Sequence, residues 1–254
     1  MQLVLKGKSD LMMSRSFAIG APPTELSNVE NTKQGLTLTG QQAGGDARIL
    51  DAHIWLPKAA KHYRLSEDLR DYIVVPVPSI ITSIPNTNGD SASFAQLTEF
   101  NPEYGMMAYR TWVGKPTHVE HDNKDITKAK GVILDTYLRP LPRHPKFAKL
   151  VKLMAFDRTK DSFLVNKILR NEVSTYSMGM WYSSYTCPIC AQRVGKGIGQ
   201  PCAHTRPRRP TYQLPDGRLA YRQCEGLIGF ETSVVMDPAY VVAQSDIVWD
   251  ISRL

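Results

Sequence analysis

Four residues with metal-binding side chains fall within one eighteen-residue stretch: Cys187 and Cys190, then, after eleven more residues, Cys202 and His204. Zinc takes four soft or borderline donors in a tetrahedron, and a Cys-x-x-Cys pair on a tight turn fills two of its vertices. Cys202-Ala-His204 is a tighter second pair. A loop like this has little apolar content of its own, so it closes around its ion and must be carried by a body folded elsewhere in the chain. With four protein donors no vertex is left for water, and the expected cofactor is therefore structural Zn. Three of the four cysteines belong to this set, which indicates metal binding in a reducing compartment rather than disulfides. Cys224 stands outside it and is expected to be a buried apolar thiol.

Directly ahead of the loop, Asn171 to Met180 alternates with period two. Val173, Thr175, Ser177 and Gly179 fall on one face of the expected strand, and Ser174, Tyr176, Met178 and Met180 on the other. Ser177 is the candidate nucleophile: apolar neighbours would hold it rigidly, and Gly179 would let a substrate backbone come close. A serine hydroxyl is inert until a base takes its proton, and that base must be oriented by a third group. Candidate bases lie in Lys115 to Asn123, which carries His118 and His121 on a polar segment. His53, His62 and His144 have no such company.

Composition narrows the rest. The chain has 254 residues, 42% of them hydrophobic, enough for one large domain or two small ones with ample core. No apolar run approaches membrane-span length, and the opening MQLVLKGKSDLMMSRS lacks the apolar core and cleavage site of a secretory signal. The net charge of +7 is scattered apart from Arg206, Arg208, Arg209 and a Lys146/Lys149/Lys152 face. Such charge suits an acidic protein partner as well as it suits nucleic acid.

Residues 1–48 are weakly organised and turn-rich, a pro-segment, an interaction arm or a first hairpin; 49–254 form the main domain, with the loop 187–204 inserted. Strands are expected at Ile49–Leu56, around Ile73 to Val77 (demoted to an edge or bulged strand by Pro76 and Pro78), at Tyr109–Val113, Val132–Leu138, near Thr175, and at Gly229–Met236. Ser66–Tyr72 reads as a short helix or turn, and Ile84–Gly89 as a loop. Apolar residues at helical spacing predict helices at Lys146–Met154 and Ser162–Leu169, and Pro215-Asp-Gly217 predicts a hairpin over Thr211–Tyr221. The sum is a β-rich α+β domain.

Taken in order, several of these pieces resemble the prohead (head maturation) proteases of tailed bacteriophages, serine proteases that share the herpesvirus assemblin fold. The resemblance runs from Ile84-Pro-Asn-Thr-Asn-Gly89 through Val119-Glu-His121-Asp-Asn123 and Lys130-Gly131 into Val132-Ile-Leu. It continues with Val173-Ser-Thr-Tyr-Ser177-Met-Gly179, a Cys187-to-His204 loop like the zinc-type insertion of some members, and Phe230-Glu231-Thr-Ser-Val-Val-Met-Asp-Pro238-Ala239. It spans about Tyr72 to Ala243.

The resemblance implies a β-barrel-like, mostly antiparallel sheet core flanked by helices, with Ser177 as nucleophile and His121 as general base. Glu231 is the candidate for orienting that base, with Asp122, Asp237 or another histidine as alternatives. It further implies scaffold and capsid proteins, and the protease itself, as substrates inside an assembling prohead in the host cytoplasm. Self-association is open, and neither a membrane nor nucleic acid is expected as a partner. A different class competes: a zinc-stabilised nucleic-acid-binding protein or nuclease, with His118 and His121 on a catalytic metal or phosphate and Arg206, Arg208 and Arg209 along the backbone. A capsid or scaffold component without catalysis is the third.

Overall fold

The computed structural model describes residues 16–19, 52–86, 88–142, 144–205, 211–235 and 248–250. Runs rich in Val, Ile, Tyr and Phe favour extended backbone, and they build a curled, half-barrel sheet with few helices, a β-rich α+β fold. Its strands, in chain order, are β1 (Ser16–Ile19), β2 (Tyr72–Ile81), β3 (Pro116–Val119), β4 (Gly131–Leu141), β5 (His144–Asp157), β6 (Tyr176–Tyr182), β7 (Ile228–Val234) and β8 (Trp249–Asp250). They lie in the order β1-β6-β7-β3-β4-β5-β2-β8. Neighbours are antiparallel except at β1/β6 and β7/β3.

Both faces of this sheet are buried. Along β2 and β4 successive residues fall into opposite cores: Ile73, Val75 and Ile133 into one, Val74, Val132 and Leu134 into the other. The first core also holds Trp112, Leu150, Met154, Phe156, Met178 and Met180, and is covered by Leu164, Val165 and Ile168 of helix α3 (Ser162–Leu169). The second is covered by helix α1 (Ala52–Tyr63) through Trp55, Leu56, Ala59 and Tyr63. Helix α2 (Phe94–Leu97) is one turn, closed at its start by a reciprocal Ser93–Gln96 capping box.

Three sequence expectations fail for identifiable reasons. The described part of Ile49–Leu56, from Ala52 onward, is helical rather than extended, and the stripe Trp55, Ala59, Tyr63 that marks the helix runs across Pro57, which lies inside α1. Lys146–Met154 is not a helix but part of β5, whose residues from Leu150 to Phe156 are buried on both sides, so no alternation marks the strand. Tyr109–Val113 is not a strand, because Ala108–Arg110 forms a single 3-10 turn stacked under β7. The strands at β2, β4 and β7, helix α3 and the hairpin Tyr212–Gln213/Leu219–Ala220 follow expectation. Pro78 sits at a register shift in β2, as its ring demands. Most of 1–48 lies outside the described residues, but Ser16–Ile19 joins the main sheet beside β6. No described helix is long and apolar enough to cross a membrane.

A second, four-stranded sheet carries the cysteine loop, in the order Arg193–Gly195, Ser184–Thr186, Arg222–Glu225, Asp90–Ser91. Its last strand extends the Ile84–Gly89 loop, and a buried ion pair, Arg222 Nε to Asp90 Oδ1 at 2.6 Å, fastens the two together. Arg222 also donates to the Asn88 carbonyl at 2.6 Å.

Candidate active site

On β6 and β7, Ser177 stands opposite Ser233 and Gly179 opposite Glu231. On the other side of β7, His118 of β3 is level with Ser233. Opposed residues share one face of a pleated sheet. Ser177, Ser233 and His118 therefore form one row, and Gly179 and Glu231 the next. With strands about 4.8 Å apart, the row from Ser177 to His118 spans roughly 10 Å at the backbone.

Beyond β3 the chain reverses at once. Asp122 N–H donates to the Val119 carbonyl at 3.0 Å, and the two central residues, Glu120 and His121, have φ of +50° and +56°. Such a turn is normally made by Asn-Gly; residues with a Cβ held there cost about 1–2 kcal/mol each. The strained turn swings His121 back over β7, where its Nδ1 lies 2.6 Å from Glu231 Oε1. The other carboxylate oxygen, Oε2, accepts from Ser233 Oγ at 2.6 Å. Glu231 is 1% exposed and His121 20%, so the pair is closed beneath and open above. An ionised carboxylate only accepts, so Nδ1 is the protonated nitrogen and a neutral ring keeps its lone pair on Nε2. That is the tautomer a general base needs.

Gly179 does something other than admit a substrate. A Cβ there would sit 2.3 Å from two ring atoms of Phe230 and 2.8 Å from Glu231 Cγ. The space over Gly179 is taken by those side chains. A register shift between Gly229 and Glu231 inserts Phe230 into the ladder, and its ring packs on Trp181 at 5.4 Å between centroids. The missing side chain at 179 lets Glu231 lie flat on the sheet and reach His121.

Ser177 is buried on the same face, but no hydrogen bond joins it to His121 among the described residues. Bonds of this kind are often long until substrate binds. His118 is on a strand rather than a polar loop. It is buried, and neither ring nitrogen has a partner among the described residues. Burial pushes its imidazole below the ordinary value, partly offset by the nearby carboxylates of Glu231 and Asp122. Of the alternatives for the third member, Asp122 is held at the surface by Lys128 at 2.7 Å and Asp237 lies outside the described residues. Behind this wall, on the opposite face, Lys152 is fully buried: its Nζ donates to Thr232 Oγ1 at 2.9 Å and sits over the Trp112 ring. Burial pushes that amine well below the ordinary lysine range. Nothing in the sequence marks Lys152, which reads there as part of a solvated basic face.

The donor atoms of Cys187, Cys190, Cys202 and His204 all lie within 4.8 Å of one another. A zinc tetrahedron with bonds near 2.3 Å has edges of about 3.8 Å, so the four fit a metal. It is the one group of three or more such side chains close enough to do so among the described residues. Cys187 and Cys190 sit on a knuckle closed by Ala191 N–H on the Cys187 carbonyl at 2.9 Å, with Ala191 at φ +57°. Burial opposes charge on Cys202, but bonds from Thr205 and the neighbouring thiols outweigh it and hold the thiol at about 6, in reach of the ligating thiolate. Cys224 is buried in the first core as expected, with its Sγ 3.8 Å from Asp90 Oδ1. Arg206, Arg208 and Arg209 lie outside the described residues.

Protein-family models, curated proteins and solved structures yield no match to this chain.

Proposed function

We propose that the chain is a serine endopeptidase of the phage head-maturation type. The observation that carries the proposal is the 2.6 Å contact of His121 Nδ1 with Glu231 on the sheet face that also bears Ser177. As Ser177 Oγ attacks a peptide carbonyl, Nε2 of neutral His121 takes its proton. Glu231 holds the tautomer and balances the imidazolium, and Ser233 keeps the carboxylate in place. The proton then passes to the leaving amine, and water, deprotonated by the same ring, releases the acyl group from Ser177. His121 is the more exposed of the two histidines and stands at the end of a strained turn, and in this reading a movement of that turn on substrate binding closes the serine–imidazole bond. The metal in this reading is a structural Zn held by Cys187, Cys190, Cys202 and His204, which folds the second sheet and takes no part in the reaction. The expected substrates are scaffold and capsid proteins and the chain itself within a prohead.

Purified wild-type and Ser177→Ala proteins, incubated alone and with unfolded casein, test this by fragment mass spectrometry. Fragments in the wild type only, with equal melting temperatures and metal content, support the proposal. Equal fragmentation by both proteins, or none by either at any concentration, ends it.

A further inference from the structure

A cavity of about 280 Å³ opens further along the nucleophile's strand. Its floor is Trp181, Leu227 and Ile228, and its rim carries Glu99, Phe100 and Glu103. Trp181 is four residues beyond Ser177 on β6, so both point to the same sheet face, and Ile228 is the residue opposite Trp181. At about 3.3 Å per residue the separation is roughly 13 Å, too far for the side chain next to a scissile bond. An extended peptide running parallel to this strand, outside the Phe230 and Glu231 side chains that fill the space over Gly179, advances at the same pitch, so the cavity meets a side chain about four residues from the bond.

Three features describe what fits there. The floor is apolar and partly aromatic. Phe100, opposite Met107 on its short hairpin, is 56% exposed at the cavity rim. Glu99 and Glu103 are surface carboxylates that form no ion pair among the described residues, in a chain of net charge +7. An apolar shaft ending in a cation satisfies all three: methylenes on Trp181 and Ile228, charge against the two carboxylates, and ring faces to receive it.

We propose that this cavity is a remote specificity subsite for a basic side chain, lysine or arginine, of an extended polypeptide. Its placement along the substrate rests on the peptidase reading; its preference for a cation does not. Glu99 and Glu103 are the specificity-determining residues, and neither touches the reacting groups.

Two measurements test it. The first compares the casein cut sites of the wild type with those of Glu99→Gln/Glu103→Gln. Wild-type sites are expected to be enriched in Lys or Arg three to five residues from the bond, and the variant is expected to keep cutting without that enrichment. The second uses Ser177→Ala protein and fluorescein-labelled alanine-rich peptides carrying one lysine or one norleucine, read by anisotropy at low salt. The lysine peptide is expected to bind about tenfold tighter, and the double Gln change to erase the difference. Equal binding of the two peptides, or a lysine preference that survives the Gln changes, overturns the subsite. A lysine preference without any cleavage upholds the subsite and discards the peptidase reading instead.

Discussion

Replacing Gly179 by alanine probes the site through its least conspicuous member. The added methyl would lie 2.3 Å from the Phe230 ring and 2.8 Å from Glu231 Cγ, where carbon atoms rest at about 3.5–4.0 Å. The ring must therefore retreat by more than 1 Å, and Glu231 by somewhat less. Overpacking of this size costs about 1–3 kcal/mol, or a fall of roughly 2–10 °C in melting temperature for a domain of this length. The larger effect is on chemistry. Glu231 is the group that holds His121, and a displacement near 1 Å in a catalytic constellation costs on the order of 100-fold in rate. Thermal melts and casein cleavage measure the two effects separately. Adding Phe230→Leu removes the ring and is expected to restore most of the stability while leaving the rate low, since the crowding at Glu231 Cγ remains. A Gly179→Ala protein with wild-type kcat would refute the role given to Glu231, whatever its stability.

Other outcomes follow from the same geometry. Glu120→Gly relieves a side chain held at φ +50° and is expected to raise unfolding free energy in urea by up to about 1 kcal/mol, the entropy of the freer unfolded chain offsetting part of the gain. Lys152→Met keeps the shape of a buried stem and removes its amine, which should stabilise by about 1–3 kcal/mol at neutral pH. Because the folded state holds that amine neutral below the ordinary lysine range, the unfolded state binds the extra proton. Wild-type stability should therefore climb as pH rises toward the ordinary lysine range at ~10, and the Met variant should lose that slope in melts across alkaline pH. Cys190→Ser, or a strong chelator, is expected to remove one equivalent of bound zinc by elemental analysis and to lower the melting temperature.

The legible parts of the sequence were those whose signal is local. β7 and β4 announce themselves as β-branched runs, and the cysteine spacing carries its own geometry. His121 and Glu231 were paired only through the family resemblance, since 110 residues separate them and no local pattern links them. The misreading of β5 has one cause: a sheet buried on both faces erases the alternation that identifies a strand. β5 then mimics a helix through Phe147, Leu150, Val151 and Met154, and Lys152, buried deep inside, is mistaken for surface. The Val119–Asp122 reversal has neither Gly nor Asn at its two central positions, Glu120 and His121. A tight turn built from Glu and His carries backbone strain, and the proposed peptidase chemistry gives a use for one of its residues, His121.

The short strand Ser16–Ile19 gives the sheet its outermost member on the side of β6, beside Gly179 to Tyr182. Without it, β6 would offer a bare row of amides and carbonyls to any extended chain nearby. The molecule thus guards its own flank with a piece taken from far upstream, and whatever shears away the first twenty residues also unseals the wall in which Ser177 is set.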